Sequence, residues 1–174
     1  MLTPHIFLTH KSPEKKSLDF ARDILEKLLQ VPFSVYVDER GKPLVKSSVP
    51  IGISITHSGD FLALAVFPFE RVGIDMEKKE DTYPTRVADR FFSDSERKKI
   101  KTSSDFYEIW SIKEAYVKMT GDGIAAISDF DCENKNENIF INSYSDKISE
   151  ILGENFSFAV SCDKDFEDVN FLFI

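Results

Sequence analysis

Apolar positions along the chain change period several times, and each change marks an element. Leu18, Ala21, Ile24, Leu25 and Leu28 recur at three- and four-residue intervals, which predicts an amphipathic helix with Ser17 as its cap and Pro32 just beyond its end. Phe33–Val37 reads as extended and leads into a turn at Arg40-Gly41-Lys42-Pro43. Strand-like runs at 51–55 and 61–67 flank the polar break Ser58-Gly59-Asp60 and predict a hairpin, with a further short strand at 72–76. Residues 78–84 are charged, end in proline and read as a linker. Ser93-Asp94-Ser95-Glu96 has the form of a capping box. Asp105 then opens a helix that reaches about Met119 and stops at Gly121-Asp122-Gly123. Its apolar stripe is expected at Ile109, Ile112, Tyr116 and Met119, with Glu114 and Lys118 on the opposite face. After a polar stretch at 131–138 the chain is strand-like, and Phe156–Cys162 with residues 169–174 predicts a closing hairpin. Each half thus offers a helix followed by a hairpin, an α+β arrangement divided at residue 78 into segments 1–78 and 79–174.

Composition narrows the class. Apolar residues make up 42% of the 174, and 16 are Phe, so a packed core is expected. The net charge of −8 gives no general attraction for nucleic acid or an anionic membrane. An anionic ligand would therefore be met by local cations or a bound metal. Cys132 and Cys162 share no ligand or redox spacing and read as reduced thiols. The apolar run at 61–69 contains Pro68 and falls short of the roughly 20 residues a membrane span requires. The first sixteen residues lack a signal-peptide core. A soluble, cytoplasmic protein with no nucleic-acid or membrane partner is expected.

Four segments carry candidate chemistry. On a strand, Asp75 and Glu77 of Gly73-Ile74-Asp75-Met76-Glu77 point to one face and set two carboxylates side by side, a repulsive pair unless a cation or shared proton intervenes. Such oxygens suit Mg²⁺, although a lone pair of acids is commonly just a solvated strand end. In Trp110-Ser111-Ile112-Lys113-Glu114-Ala115-Tyr116-Val117-Lys118, Glu114 and Lys118 stand one turn apart, as a surface ion pair or as catalytic groups. Ser54-Ile55-Thr56-His57-Ser58-Gly59 sets a histidine among hydroxyls at the hairpin, for local hydrogen bonding or for phosphate. Lys42, between Gly41 and Pro43, is an exposed turn residue or a phosphate cation.

The order Gly-Lys-Pro, Ser-x-x-His-Ser, Gly-Ile-Asp-x-Glu, Phe-Phe-Ser-x-x-Glu, Trp-Ser-x-Lys-Glu-Ala-x-x-Lys over residues 41–123 resembles the 4′-phosphopantetheinyl transferases, in the longer, two-halved class typified by the enzyme of surfactin synthesis. The resemblance implies a pseudo-twofold α+β pair, each half a helix on a small antiparallel sheet, with coenzyme A in the cleft between them. It implies that Asp75, Glu77 and Glu114 hold Mg²⁺ with the coenzyme A pyrophosphate. His57, Lys42 and Lys113 would lie at the phosphates, and Glu114 and Lys118 would be catalytic, with Glu96 a weaker candidate base. The implied activity is transfer of phosphopantetheine from coenzyme A to a serine of an acyl or peptidyl carrier protein, as in fatty acid biosynthesis. The alternatives are a non-catalytic coenzyme A- or carrier-binding protein, or another Mg²⁺-dependent phosphoryl transferase. Only a short arm precedes the first helix, with Lys11, Lys15 and Lys16 as its cations for a 3′-phosphate. Residues 86–101 hold six cations against three acids, a candidate docking patch for an acidic carrier.

Overall fold

The computed structural model describes residues 3–14, 16–68, 70–132 and 139–174. Lys15, Phe69 and most of the polar stretch 131–138 lie outside these. The strands are β1 (His5–His10), β2 (Phe33–Val37), β3 (Pro43–Ser47), β4 (Ile51–Ser58), β5 (Phe61–Pro68), β6 (Val72–Lys78), β7 (Phe140–Ser143), β8 (Phe156–Cys162) and β9 (Asn170–Phe173). The α-helices are α1 (Ser17–Leu28), α2 (Thr85–Phe91), α3 (Asp94–Lys99), α4 (Ser103–Thr120) and α5 (Ser145–Leu152). The first sheet runs β4-β5-β1-β9 and the second β6-β8-β7, while β2 and β3 pair alone. The mixed helix and sheet content makes this an α+β fold.

The two sheets share a core. β5 is buried at nearly every position because both its faces are covered, which accounts for its unbroken apolar run. Leu62, Leu64 and Val66 pack toward Phe20, Ala21, Ile24 and Leu25 of α1, whereas Ala63, Ala65 and Phe67 join Ile74, Met76, Phe158 and Val160 of the second sheet. The α1 stripe is rotated from expectation. Phe20 is buried and Leu28 exposed, and Lys16 rather than Ser17 precedes the first turn, without a side-chain cap.

The closing hairpin does not form. β8 is flanked on both edges, by β6 and β7, so β9 goes to the open edge of β1 and pairs with it in parallel. The first sheet is therefore mixed rather than antiparallel. β1 itself occupies the stretch expected as a short arm; Ile6 and Leu8 face one core and Phe7 the other. Each sheet also draws strands from both sides of residue 78, β6 pairing with β8 and β9 with β1, so the two segments interleave.

α4 places the candidate site. Its start is a capping box in which Thr102 and Asp105 exchange hydrogen bonds, and Gly121 ends it at φ +82°, a left-handed cap suited to glycine. The buried line on the second sheet is Ser111, Ala115 and Met119 rather than the Ile109–Ile112–Tyr116 stripe. Ser111 Oγ meets Ser157 Oγ at 2.7 Å, and a Cβ on Gly73 would stand 2.0 Å from the Ala115 carbonyl oxygen. Only small residues permit that approach. Tyr116 turns aside and stacks on Phe130, ring centroids 4.0 Å apart.

Candidate active site

β6 belongs to the second sheet by its backbone and to the first by side chains. Its N–H groups at Ile74, Met76 and Lys78 donate to the hydroxyl oxygens of Ser54 (3.1 Å), Thr56 (3.3 Å) and Ser58 (2.8 Å) on β4. Every second residue of β4 thus forms one rung, as the two-residue period of a strand requires. Thr56 Oγ1 also donates to Asp75 Oδ1, and Ser58 Oγ to Glu77 Oε2, each at 3.2 Å. The two predicted carboxylates therefore share one face of β6, beside the hydroxyls. α4 brings Lys118 to them, its Nζ 2.6 Å from Asp75 Oδ1. Glu114, one turn earlier, lines a cavity of about 190 Å³ with Lys118, Ser54, Ile55, Arg40 and Lys42.

The charges in this cluster strain one another. Asp75 is 2% exposed, and its Oδ2 is buried without a hydrogen-bond partner. Burial, then the Asp75 charge, raises the Glu114 carboxyl to about 7, against the pull of Lys118. Burial and Asp75 also raise Glu77, while hydrogen bonds from Ser58 and Trp110 act the other way. Burial disfavours the Lys118 ammonium, but the Asp75 carboxylate outweighs it and keeps that group charged. Glu114 and Lys118 are thus not a surface ion pair; the lysine's partner is Asp75. Among the described residues, no three His, Cys, Asp or Glu side chains stand close enough to hold a metal ion. Lys118 is the cation on Asp75. The donor set itself fits a hard divalent ion: three acidic side chains offering only oxygen, one with an unpartnered buried atom.

The remaining predicted residues are dispersed. Lys42 lines the cavity, but its ammonium donates to the Met119 carbonyl at the C-terminal end of α4, and burial followed by the nearby Arg71 lowers its pKa. Arg40, from the same turn, donates to the Gly121 carbonyl at 3.3 Å. His57 is exposed on the opposite strand face from Thr56 and is not among the cavity's lining residues. Lys113 is fully buried and gripped by Glu96 at 2.9 and 3.0 Å and by the Phe130 carbonyl. Glu96 completes the Ser93 capping box and accepts from the Cys132 N–H at 2.9 Å. Burial raises the Glu96 pKa, but the Cys132 N–H and Lys113 outweigh it and hold the group below the usual range. Lys113 and Glu96 thus fix α4 against α3 and lie apart from the carboxylate cluster. Sequence reasoning passed over Thr56 and Ser58 as site residues. Their signal was the hydroxyl at every second position of a strand, 54, 56 and 58.

A family model for the 4'-phosphopantetheinyl transferase superfamily matches residues 71–167. The 4'-phosphopantetheinyl transferase psf-1 of Bacillus pumilus is 32% identical over 113 residues, covering 60% of this chain and 48% of that protein. The 4'-phosphopantetheinyl transferase Sfp of Bacillus subtilis (strain 168) is 33% identical over 93 residues, 50% of this chain and 41% of the relative. HetI of Nostoc sp., also a 4'-phosphopantetheinyl transferase, is 31% identical over 104 residues, 54% and 44% of the two chains. The chain spans about half the length of the curated relatives it matches. The family match covers β6, α2, α3 and α4, the segments that carry Asp75, Glu77, Glu96, Lys113, Glu114 and Lys118, and this chain belongs to the 4'-phosphopantetheinyl transferase superfamily.

Proposed function

We propose that the chain transfers the 4′-phosphopantetheine arm of coenzyme A to a serine of an acyl or peptidyl carrier protein and releases 3′,5′-ADP. The observation that carries this reading is Asp75. It is a buried carboxylate with one oxygen on Lys118 and the other unpartnered, and its charge raises the pKa of two neighbouring acids. Such a cluster favours an incoming cation and the phosphates that accompany it.

Asp75, Glu77 and Glu114 would hold Mg²⁺. Bound there, the ion supplies positive charge that neutralises the pyrophosphate and stabilises the departing 3′,5′-ADP. The serine oxygen bonds to the phosphorus that bears pantetheine, and the bond from that phosphorus to the 3′,5′-ADP oxygen breaks. The serine proton passes to Glu114, or to a water that Glu114 holds. Lys118 offers its ammonium to the transferring group. Coenzyme A would lie in the Lys42-lined cavity, and its nucleotide would meet the exposed His57 outside that cavity. Lys113, enclosed by Glu96, would support the phosphates only through the placement of α4.

In this reading, α1 on the first sheet and α4 on the second are pseudo-twofold halves around the cleft. The reaction belongs to the cytoplasm. Free Cys132 and Cys162 agree with a reducing compartment, and no helix among the described residues is long and apolar enough to cross a membrane. The test is incubation with coenzyme A, Mg²⁺ and an apo acyl carrier protein, followed by mass spectrometry of the carrier. A gain of one phosphopantetheine is expected. Coenzyme A binding without that gain would overturn the transferase reading.

A further inference from the structure

β6 presents its outer N–H groups to β4, yet β4 answers with hydroxyls and not with carbonyls. A hydroxyl has one proton and two lone pairs. At Thr56 all three are used: the oxygen accepts from Met76 N–H at 3.3 Å and from Lys118 Nζ at 3.3 Å, and the proton goes to Asp75 Oδ1 at 3.2 Å. Ser58 accepts from Lys78 N–H at 2.8 Å and gives its proton to Glu77 Oε2 at 3.2 Å. The first rung differs. Ser54 accepts from Ile74 N–H, but the residue beside it is Gly73, which has no side chain because α4 lies against it. The ladder therefore ties two sheets together at three points and, at two of them, also takes hold of an acid.

Resting on the transferase reading above, we infer that Thr56 and Ser58 are positioning residues for cation binding. Thr56 holds Asp75 by Oδ1 so that Oδ2 stays buried without a partner, and Ser58 fixes Glu77 two residues further on. The unpartnered Oδ2 is the consequence of this grip. Lys118 and Thr56 both engage Oδ1, which leaves the second oxygen as the one available to a cation. Without the Thr56 hydroxyl, Asp75 would be held by Lys118 alone and could turn either oxygen to it. The same substitution leaves the Met76 N–H without its acceptor.

The experiment measures divalent-ion binding apart from turnover. Mn²⁺ is titrated into the protein–coenzyme A complex by calorimetry or electron paramagnetic resonance, alongside the Mg²⁺ dependence of carrier modification. Thr56→Val should weaken Mn²⁺ binding at least tenfold and raise the Mg²⁺ half-saturation in parallel, while coenzyme A affinity without metal changes less than twofold. Thr56→Ser, which restores the hydroxyl, should return both values to within threefold of wild type. Mn²⁺ affinity of Thr56→Val within twofold of wild type would overturn the inference, as would a Thr56→Ser protein as weak as Thr56→Val. If Thr56→Val does not fold by circular dichroism, Ser58→Ala carries the test at Glu77, with a fivefold or greater loss expected and no loss refuting it. A wild-type protein that leaves the carrier unmodified sinks the transferase reading. A wild-type transferase indifferent to both hydroxyls sinks this inference alone.

Discussion

Glu114 holds its proton into the neutral range because burial and the Asp75 charge both act against ionisation. In the unfolded chain the same carboxyl titrates at its ordinary 4.5, and in the fold at about 7. Between those values the folded state binds more protons, so stability falls as pH rises through the window and levels off above it. Glu114→Gln should remove this part of the decline, an effect of about 1 to 3 kcal/mol between pH 4.5 and 7. Urea unfolding of the metal-free protein at several pH values measures it, and parallel curves for the two proteins would refute the burial argument. The residues that carry charge were the legible ones. Asp75 and Glu77 follow from the strand period and Glu114 and Lys118 from the helix period, although the pairing of Lys118 with Asp75 crosses 43 residues and no local pattern reports it. Lys113 was misread as a ligand-facing cation for the same reason: its partner Glu96 is a capping residue in another helix, and the sequence has no sign that the two meet inside the core.

At the scale of elements, α4 is positioned by what is missing beneath it. Gly73 lets the helix backbone approach β6 so closely that an added Cβ would lie 2.4 Å from the Met119 nitrogen as well as 2.0 Å from the Ala115 carbonyl. Both neighbours are backbone and cannot rotate away. Gly73→Ala should therefore lift the helix and cost about 3 kcal/mol or more in unfolding free energy, with loss of carrier modification, since Glu114 and Lys118 travel with α4. Wild-type stability in that variant would mean that the helix sits further from the strand. Elements with strong local signals were read from sequence, among them β4, β5 and the Ser93 capping box. β1 was not, because His5–His10 is short and its partners lie in distant parts of the chain, and residues 169–174 read as a strand but were given β8 as partner where β9 pairs with β1. α5 escaped notice because its eight residues bury only Ser145 and Ile148.

Across the whole molecule, the surplus of acids leaves residues 86–101 as a local basic patch. Within it Arg97 is engaged by the carbonyls of Asp89 and Phe92 and by Asp94, whereas Arg90 and Lys98 are exposed. Reversing Arg90 and Lys98 to Glu should slow association with an acidic carrier several-fold at low salt and flatten its salt dependence, leaving coenzyme A affinity unchanged. Stopped-flow association rates at two ionic strengths decide it, and unchanged rates would put carrier docking on another face. The pairing of strands across residue 78, β1 with β9 and β6 with β8, was the least legible feature, since it depends on which edge each strand finds open. That choice has a consequence during synthesis. His5 of β1 pairs with Asn170, so the inner strand of the first sheet acquires its second neighbour only when residues near 170 have left the ribosome. Until then β1 has β5 on one side and a bare edge on the other, and bare edges recruit strands from other chains. Substitutions in Asn170–Phe173 would thus be felt first in the yield of soluble protein, before any change in what the finished molecule does.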